Sequence, residues 1–545
     1  MVKNLTHEFD LGDDTEEVIG RGTWIDKLAL EVLERKDNLK GEHPEIIRTE
    51  SGLGASGFPH IGSFADASRA YGFKLAIEDL GRKAEYIAFA DDMDGLRKVP
   101  AGTPPELKEH LGKPVSLIPD PWGCHKSYGQ HMSSLLIESI QQAGIICTPT
   151  SANELYSSGK MAPQVKKLLS QAKLAGEIIE ETTGQEKYLE VLPYHAICKQ
   201  CGKIYTTRAI SYDEKSGKVE YICEGDEIRG NLLDGCGYRG WSDIAKGEGK
   251  LTWKVEFAAR WDLLQIDFEA FGKDIFESVI CNDRVCQEIF GYEPPAHARY
   301  EMFLDKGGSK ISKSAGNVFT PQTWFRYGSP QSLALLTFKR MTGSRTLAVD
   351  DIPVYMKELD YLEDVYFGRI KESNQARKRK LNGLFEYCWY LKPPEKRSIQ
   401  IPYSLLVNLI AVAPESAFEE FLESRLIEYG YLKNEVTLKD VEDRVQYAAN
   451  WVEDFAQLEE ITIELDDKQK AALRDLIQVL VDLKEAEDIQ SAIFAIARES
   501  EINPREFFKL LYKILLNTDR GPKLGPYIHT IGTEQAIKTI KKNLE

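Results

Sequence analysis

The sequence lacks any apolar run long enough to cross a bilayer. The longest such run, residues 405–413, is interrupted by Asn408, whereas a spanning helix needs about 20 apolar residues. The first ten residues contain no apolar segment of the kind that directs secretion. We therefore expect a cytoplasmic protein with no membrane partner.

Cysteine and net positive charge are also scarce. The chain has 9 cysteines in 545 residues, as expected in a reducing compartment. Its net charge is −17, but residues 401–500 hold 9 basic against 22 acidic residues, whereas residues 377–380 are all basic. A local phosphate-binding surface is compatible with this uneven charge. Residues 377–380 are either an RNA contact or a solvated face.

The length predicts three or four domains. Strand-like residues 46–49 and 84–90 alternate with helical patterns at 24–36 and 64–80, which predicts a parallel, doubly wound sheet. Helices are also expected at 132–143, at 166–181 and from Ile275, and a strand with a turn at 251–261. From residue 361 onward, helical spacing predicts an all-α region. The predicted fold class is multidomain α/β plus all-α.

One stretch, Glu50 to Ser63, combines three glycines with a strand before it and a helix after it. Ser63 and Asp66 resemble a capping box, so we expect the helix to begin there and its N-terminus to form an anion site. Gly52, Gly54 and Gly57 also satisfy the dinucleotide-binding fingerprint of a dehydrogenase. The ribose-binding acid of that fingerprint is missing at the expected distance, which weakens this alternative.

Four cysteines within a short β-like segment predict a zinc ribbon. Cys198 and Cys201 form a CxxC knuckle, and Cys223 and Cys236 follow on a second, wider one. Buried thiols are the alternative. Cys124 and His125 are interpreted as a structural loop, because no second Cys or His is recognised at ligand spacing.

A second basic loop carries Lys310, Ser312 and Lys313 after a hairpin-like turn. Two lysines three residues apart suit a polyphosphate whose charge grows in a transition state. On its own the loop is more simply an exposed polar segment.

Together these motifs resemble those of class I aminoacyl-tRNA synthetases. Residues 60–62 match the His-Ile-Gly-His signature and residues 310–314 the Lys-Met-Ser-Lys-Ser signature, in the family's order. Residues 97–100 and 118–125 resemble in particular the class I lysyl-tRNA synthetases. The resemblance is dense over residues 20–330, and a dehydrogenase has no use for the second loop.

The resemblance implies ATP-dependent activation of L-lysine and its transfer to tRNA-Lys. It implies His60, Lys310 and Lys313 as catalytic residues, Mg²⁺ accompanying ATP, and no DNA partner. The four cysteines of the insertion add structural Zn²⁺ to the expected cofactors. The ATP site would comprise Gly57, His60, Gly62, Ser63, Lys310, Ser312 and Lys313.

The implied amino-acid pocket comprises Gly52, Gly54 and Trp253, with Asp92, Asp94 or Asp274 as the partner of the lysine ammonium. Many family members have Thr-Pro where this chain has Gly54-Ala55, and His where it has Ile275. Both differences fall in the regions that the family uses for its amino acid.

We expect five units, with a Rossmann-type catalytic domain divided by the zinc ribbon. They are 1–190 (N-terminal helix and first catalytic half), 191–250 (zinc-ribbon-like insertion), 251–320 (second catalytic half), 321–360 (stem-contact connector) and 361–545 (α-helical anticodon-binding domain). Tyr387, Trp389 and Tyr390 could stack anticodon bases or pack in a core. The alternatives are a glutamyl or arginyl class I enzyme and a tRNA-binding paralogue that does not aminoacylate.

Overall fold

The computed structural model describes most of the chain. The described residues are 18–38, 45–228, 230–301, 303–306, 319–341, 343–413, 417–433, 436–455, 465–516 and 522–544. No helix among them is long and apolar enough to span a membrane.

A five-stranded, fully parallel sheet organises the first part of the molecule, in the order β12-β11-β1-β2-β3. The two central strands, β1 and β2, pair along their whole lengths. The described strands are β1 Ile46–Leu53, β2 Lys83–Ala90, β3 Thr148–Ser151, β4 Tyr194–Ala196, β5 Thr207–Asp213, β6 Lys218–Cys223, β7 Gly225–Ile228, β8 Asn231–Asp234, β9 Arg239–Asp243, β10 Gly249–Leu251, β11 Phe268–Gly272, β12 Ala296–Tyr300, β13 Phe303–Leu304 and β14 Arg345–Thr346.

Helices cover the sheet and make up the C-terminal region. They are α1 Trp24–Asn38, α2 Ile61–Asp79, α3 Tyr128–Gln142, α4 Ala152–Ser157, α5 Ala162–Leu169, α6 Ala172–Thr183, α7 Trp253–Leu264, α8 Phe276–Val285, α9 Pro321–Tyr327, α10 Pro330–Phe338, α11 Ile352–Tyr366, α12 Gln375–Cys388, α13 Tyr403–Val412, α14 Phe418–Glu428, α15 Glu442–Asp454, α16 Asp467–Asp482, α17 Ala486–Glu499, α18 Pro504–Leu516, α19 Leu524–Ile531 and α20 Thr533–Lys542.

An insertion interrupts the sheet between β3 and β11. It contains α4–α6, the pair β4 and β10, the antiparallel sheet β5-β6-β9 and the hairpin β7-β8, and it ends in α7. Because all five strands of the main sheet are parallel, their carboxyl ends lie along one edge. Ligands of open α/β sheets bind at that edge.

The prediction of a strand and a turn at residues 251–261 is wrong, because α7 begins at Trp253. The segment is rich in aromatic residues, which favours a strand by composition alone. In the structure Trp253, Phe257 and Trp261 follow one another at helical spacing, with ring centroids 5.4 and 6.1 Å apart. This packing along one helix face outweighs the local preference. The single helix expected at 166–181 is also two helices, α5 and α6.

The basic segment at 377–380 lies on α12, which packs beside α1 and the end of α2 rather than at the carboxyl edge. Arg21 joins these parts, with Nη2 2.8 Å from the Asp79 carboxylate and Nη1 2.5 Å from that of Glu386. Two of the three aromatics considered for base stacking, Tyr387 and Tyr390, are buried. Core packing, the alternative interpretation, is therefore the role of these two.

We expect Gly383→Ala to destabilise the protein by about 1–3 kcal/mol, because overpacking at a close backbone contact forces atoms apart. A Cβ at this position of α12 would meet the carbonyl oxygen of Arg21. Urea denaturation measures the change. Gln375→Ala, at an exposed position of the same helix, is the control and should stay within about 0.5 kcal/mol of wild type. Equal stabilities of the two variants would contradict the close contact.

Candidate active site

The glycine-containing loop after β1 delivers the N-terminus of α2 to the carboxyl edge. His60 is the N-cap: its φ of −115° is extended, and its Nδ1 accepts a hydrogen bond from the backbone N–H of Ser63 at 3.2 Å. The prediction that the helix begins at Ser63 is therefore wrong by two residues. The imidazole caps the helix instead of the Ser63 hydroxyl, so Ile61 and Gly62 are already helical.

The same cap selects one tautomer of the imidazole. With Nδ1 accepting, the neutral ring carries its proton on Nε2, which can donate to an anion. A Cβ at Gly62 would lie 2.7 Å from Nδ1, so a larger residue at this position would displace the imidazole from the cap. Gly57 and Ser63 are buried beside the cap. These four residues and the helix N-terminus form one site suited to phosphate.

Next to this site a buried guanidinium connects three strands. Arg260 of α7 has its Nε 2.6 Å from the carboxylate of Glu50, its Nη1 3.6 Å from that of Asp91, and its Nη2 3.3 Å from that of Glu269. Arg260 and Glu50 are no more than 1% exposed. Burial raises the pKa of Asp91 to about 7, although the Arg260 charge acts in the opposite direction.

A second buried ion cluster continues the first one. The Nζ of Lys250 lies 2.8 Å from the Asp94 carboxylate and 2.6 Å from that of Glu256. Burial alone would lower the pKa of Lys250, but these carboxylates raise it above its ordinary value. Asp94 also accepts hydrogen bonds from Trp253 Nε1 at 3.2 Å and from Arg97 at 3.3 Å.

Carboxyl groups outnumber cationic groups in the two clusters together. The acids are Glu50, Asp91, Asp94, Glu256 and Glu269, and the cations are Arg97, Lys250 and Arg260. Among the described residues, the Oε2 atom of Glu50 is buried without a hydrogen-bond partner. A buried cluster in which carboxyl groups outnumber cations favours a cationic ligand.

The three acids predicted to bind the lysine ammonium lie in different surroundings. Asp94 lies in the buried cluster beside Trp253. Asp92 accepts hydrogen bonds from Ser151 Oγ at 2.6 Å and from the Asn153 N–H at 2.8 Å, which ties it to the start of α4. Asp274 is exposed in the turn after β11.

The two glycines predicted for the amino-acid pocket lie at the end of β1 and just beyond it. A Cβ at Gly52 would lie 3.6 Å from Asp91 Oδ2, so Gly52 adjoins the acidic cluster. Gly54 is exposed. Lys310, Ser312 and Lys313 lie outside the described residues.

Sequence reasoning missed Glu50, Lys250, Glu256 and Glu269 as parts of the site and gave Arg260 no role. The available signal was an acidic residue within each of two apolar strands, and Glu50 and Glu269 pair directly across β1 and β11. Lys250 and Glu256 lie at the C-terminal end of the insertion. Nothing in the sequence around them indicates that they form one cluster with Asp94, which follows β2.

The four cysteines of the insertion converge as the sequence predicts. The sulfur atoms of Cys198 and Cys236 are 3.5 Å apart and those of Cys201 and Cys223 are 3.7 Å apart, and all four lie within 4.8 Å of one another. Tetrahedral zinc with Zn–S bonds of about 2.3 Å places its sulfurs about 3.8 Å apart. The donor set therefore fits zinc.

A second cluster of metal-ligating side chains surrounds Cys124. The interpretation of Cys124-His125 as a plain structural loop overlooked Asp120 and His131, which lie at the same place. Cys124 Sγ is 3.2 Å from the Nδ1 atoms of both His125 and His131, and His131 Nδ1 is 3.4 Å from Asp120 Oδ1. His131 lies in the first turn of α3 and not in the loop, so the spacing of the loop residues did not indicate it.

We expect Arg260→Met to destabilise the protein by about 3–5 kcal/mol, because it leaves buried carboxylates without their cation. Arg284→Met, which removes exposed ion pairs with Glu181 and Glu288, is the control and should cost less than about 1 kcal/mol. Urea denaturation followed by tryptophan fluorescence measures both.

The cost of Arg260→Met should also depend on pH. Burial raises the pKa values of Glu50 and Asp91, so protonation at lower pH neutralises these side chains in the folded state. The loss of stability should therefore be smaller at about pH 5.5 than at about pH 8. A loss that grew as the pH fell would contradict the assigned ion pairs.

Comparisons of the sequence with known proteins identify the family of this chain. The family model described as "tRNA synthetases class I (K)" matches residues 22–389. The lysine–tRNA ligase of Cenarchaeum symbiosum is 46% identical over 528 residues, covering 97% of this chain and all of that protein. The enzymes of the same name from Rickettsia bellii and Rickettsia prowazekii are 31% and 32% identical, each over 97% of this chain and 99% and 98% of theirs. The predicted combination of a Rossmann-type sheet with an α-helical C-terminal region is confirmed, and the chain belongs to the family of class I lysyl-tRNA synthetases.

Proposed function

We propose that this protein is a lysine–tRNA ligase, which activates L-lysine with ATP and transfers it to the 3′ end of tRNA-Lys. The observation that carries the proposal is a helix N-terminus suited to phosphate beside buried ion clusters in which carboxyl groups outnumber cations. This surplus disfavours a glutamyl enzyme, whose substrate side chain is an anion. An arginyl enzyme and a tRNA-binding paralogue without activity are left to experiment.

The first step joins the amino-acid carboxylate to the α-phosphorus of ATP and releases pyrophosphate. Gly57, Gly62 and Ser63 let the nucleotide lie against the start of α2, where the helix dipole favours negative charge. His60 donates a hydrogen bond through Nε2 as charge grows on the phosphate oxygens. Lys310, Ser312 and Lys313 complete the phosphate site, and Mg²⁺ accompanies ATP. A ribose hydroxyl of the tRNA then attacks the acyl carbon, and AMP leaves.

The substrate ammonium occupies the acidic side of the same edge. We assign the pocket to Gly52, Gly54, Trp253 and Asp94, with Asp92 and Asp274 at its margin. Asp94 accepts hydrogen bonds from Trp253 and from Arg97, so its carboxylate is held in place. Charge alone does not recognise lysine, and the fixed geometry of the acceptor supplies the selectivity.

The two ligand clusters hold zinc in this proposal. Cys198, Cys201, Cys223 and Cys236 bind one structural ion, and Asp120, Cys124, His125 and His131 bind a second. Each cluster lies in a segment of short strands or turns with a small core of its own, which metal binding would stabilise.

The proposed domains follow the expected order, with two boundaries moved. Helix α11 runs from Ile352 to Tyr366, so the limit at residue 360 would divide a helix, and we place the end of the connector after Tyr366. The limit at residue 250 would divide β10, Gly249–Leu251, so we place the end of the insertion after Leu251. The limits at 190 and 320 are kept, and the remaining helices bind the anticodon. We propose a cytoplasmic location and no membrane or DNA partner.

An ATP–pyrophosphate exchange screen over the twenty amino acids tests the activity. We expect exchange with lysine, and His60→Ala should lower its kcat about 10²- to 10³-fold, as loss of one transition-state donor does. His529→Ala, in helix α19 of the C-terminal region, is the matched control and should keep full exchange. Exchange with arginine but not lysine would sink the assignment. Tight tRNA binding without any exchange would support the inactive paralogue.

Metal analysis of the purified protein tests the two zinc sites. We expect two zinc ions per chain, one in Cys201→Ser and one in Cys124→Ser, because each variant loses a thiolate ligand. Cys147→Ser, a half-buried cysteine outside both clusters, should retain two. A zinc content unchanged by Cys124→Ser would eliminate the second site.

A further inference from the structure

An aromatic ring stands exposed on the loop that connects β2 to α3. Trp122 is 40% exposed, and its ring stacks on that of His131 with centroids 4.3 Å apart and planes at 22°. The Tyr128 ring lies nearly parallel to it at 6.3 Å. These rings border the indole, and the 40% of Trp122 that stays exposed presents aromatic surface to solvent.

Hydrogen bonds to one carboxylate hold this ring in place. The side chain of Asp120 accepts from the backbone N–H groups of Trp122 at 3.2 Å, Cys124 at 2.9 Å and His125 at 2.8 Å. Gly123 adopts a φ of +73° in the same turn, a conformation that glycine adopts without strain. The loop thus fixes the indole before any ligand arrives.

The ring lies beside the signature loop at the start of α2. Trp122 and Phe58 have ring centroids 6.2 Å apart, and Phe58 is two residues before His60. Tyr128 also donates a hydrogen bond from its hydroxyl to the carbonyl oxygen of Ser56 at 3.2 Å. The aromatic surface and the proposed phosphate site are therefore built on contiguous residues.

We propose that Trp122 stacks on an unpaired base at the 3′ end of the tRNA and positions it for acyl transfer. This rests on the proposed function, which requires single-stranded nucleotides to reach this edge of the sheet. Aromatic rings bind unpaired bases through stacking whatever their sequence. Lys126, exposed four residues further along, supplies positive charge for the adjoining backbone phosphate.

The experiment separates the two steps of the reaction. In Trp122→Ala, we expect lysine-dependent ATP–pyrophosphate exchange to stay within about twofold of wild type. The kcat/KM of tRNA aminoacylation should fall about 10- to 100-fold, the range expected for loss of one base–aromatic stack. Trp122→Phe should restore most of it. Leu117→Ala, which removes an exposed apolar side chain from the same connection, should leave both steps unchanged.

tRNAs carrying one abasic nucleotide in the unpaired 3′ end identify the partner base. One abasic position should slow transfer by wild type and have little further effect on Trp122→Ala, because partners in contact are not additive. Equal effects of every abasic position on both proteins would overturn the proposal. A raised KM for ATP in the exchange reaction would also overturn it and would assign the ring to the adenine. Absence of lysine-dependent exchange in wild type would instead refute the proposed function.

Discussion

The guanidinium of Arg260 joins three parallel strands near the carboxyl edge of the main sheet. Its carboxylate partners come from within β1, from just beyond β2 and from within β11, while Arg260 itself comes from α7, the helix that ends the insertion. Removing any one partner would leave charge buried without compensation. These ion pairs attach α7, the last helix of the insertion, to the sheet. A large insertion is therefore compatible with a fixed arrangement of the strands at this edge.

The same edge places opposite potentials side by side. The start of α2 favours anions, through its dipole and the imidazole of His60, whereas the clusters around Arg260 and Lys250 contain more carboxylates than cations. In the proposed function, lysine bound across this boundary would face the nucleotide with its carboxylate and the acids with its side-chain ammonium. The cations Arg97, Lys250 and Arg260 are needed in these clusters, because five buried carboxylates without cations would take up protons and lose their charge.

Sequence predicted the parts of this site that are local and missed those that depend on long-range contacts. The strand, loop and helix around Gly57 could be found because their glycines and apolar spacing lie within a short window. The CxxC knuckle of Cys198 and Cys201 could be found for the same reason. The helix at Trp253 could not, since its strand-forming composition is overruled by ring packing along one face. The pairing of Lys250 with Asp94 joins residues 156 positions apart, and no periodicity reports such a contact.

The loop around Asp120 shows how a segment without a large core can still position a side chain. Asp120 binds the backbone of its own turn and lies against His131, so the loop is closed by polar contacts rather than by apolar burial. Because polar contacts close the loop, its fold does not depend on burial of the neighbouring indole, and Trp122 remains partly exposed. An apolar core would have drawn the ring inward. Exposure of an aromatic side chain beside an active-site loop thus follows from the polar closure, and it keeps the ring available to a ligand.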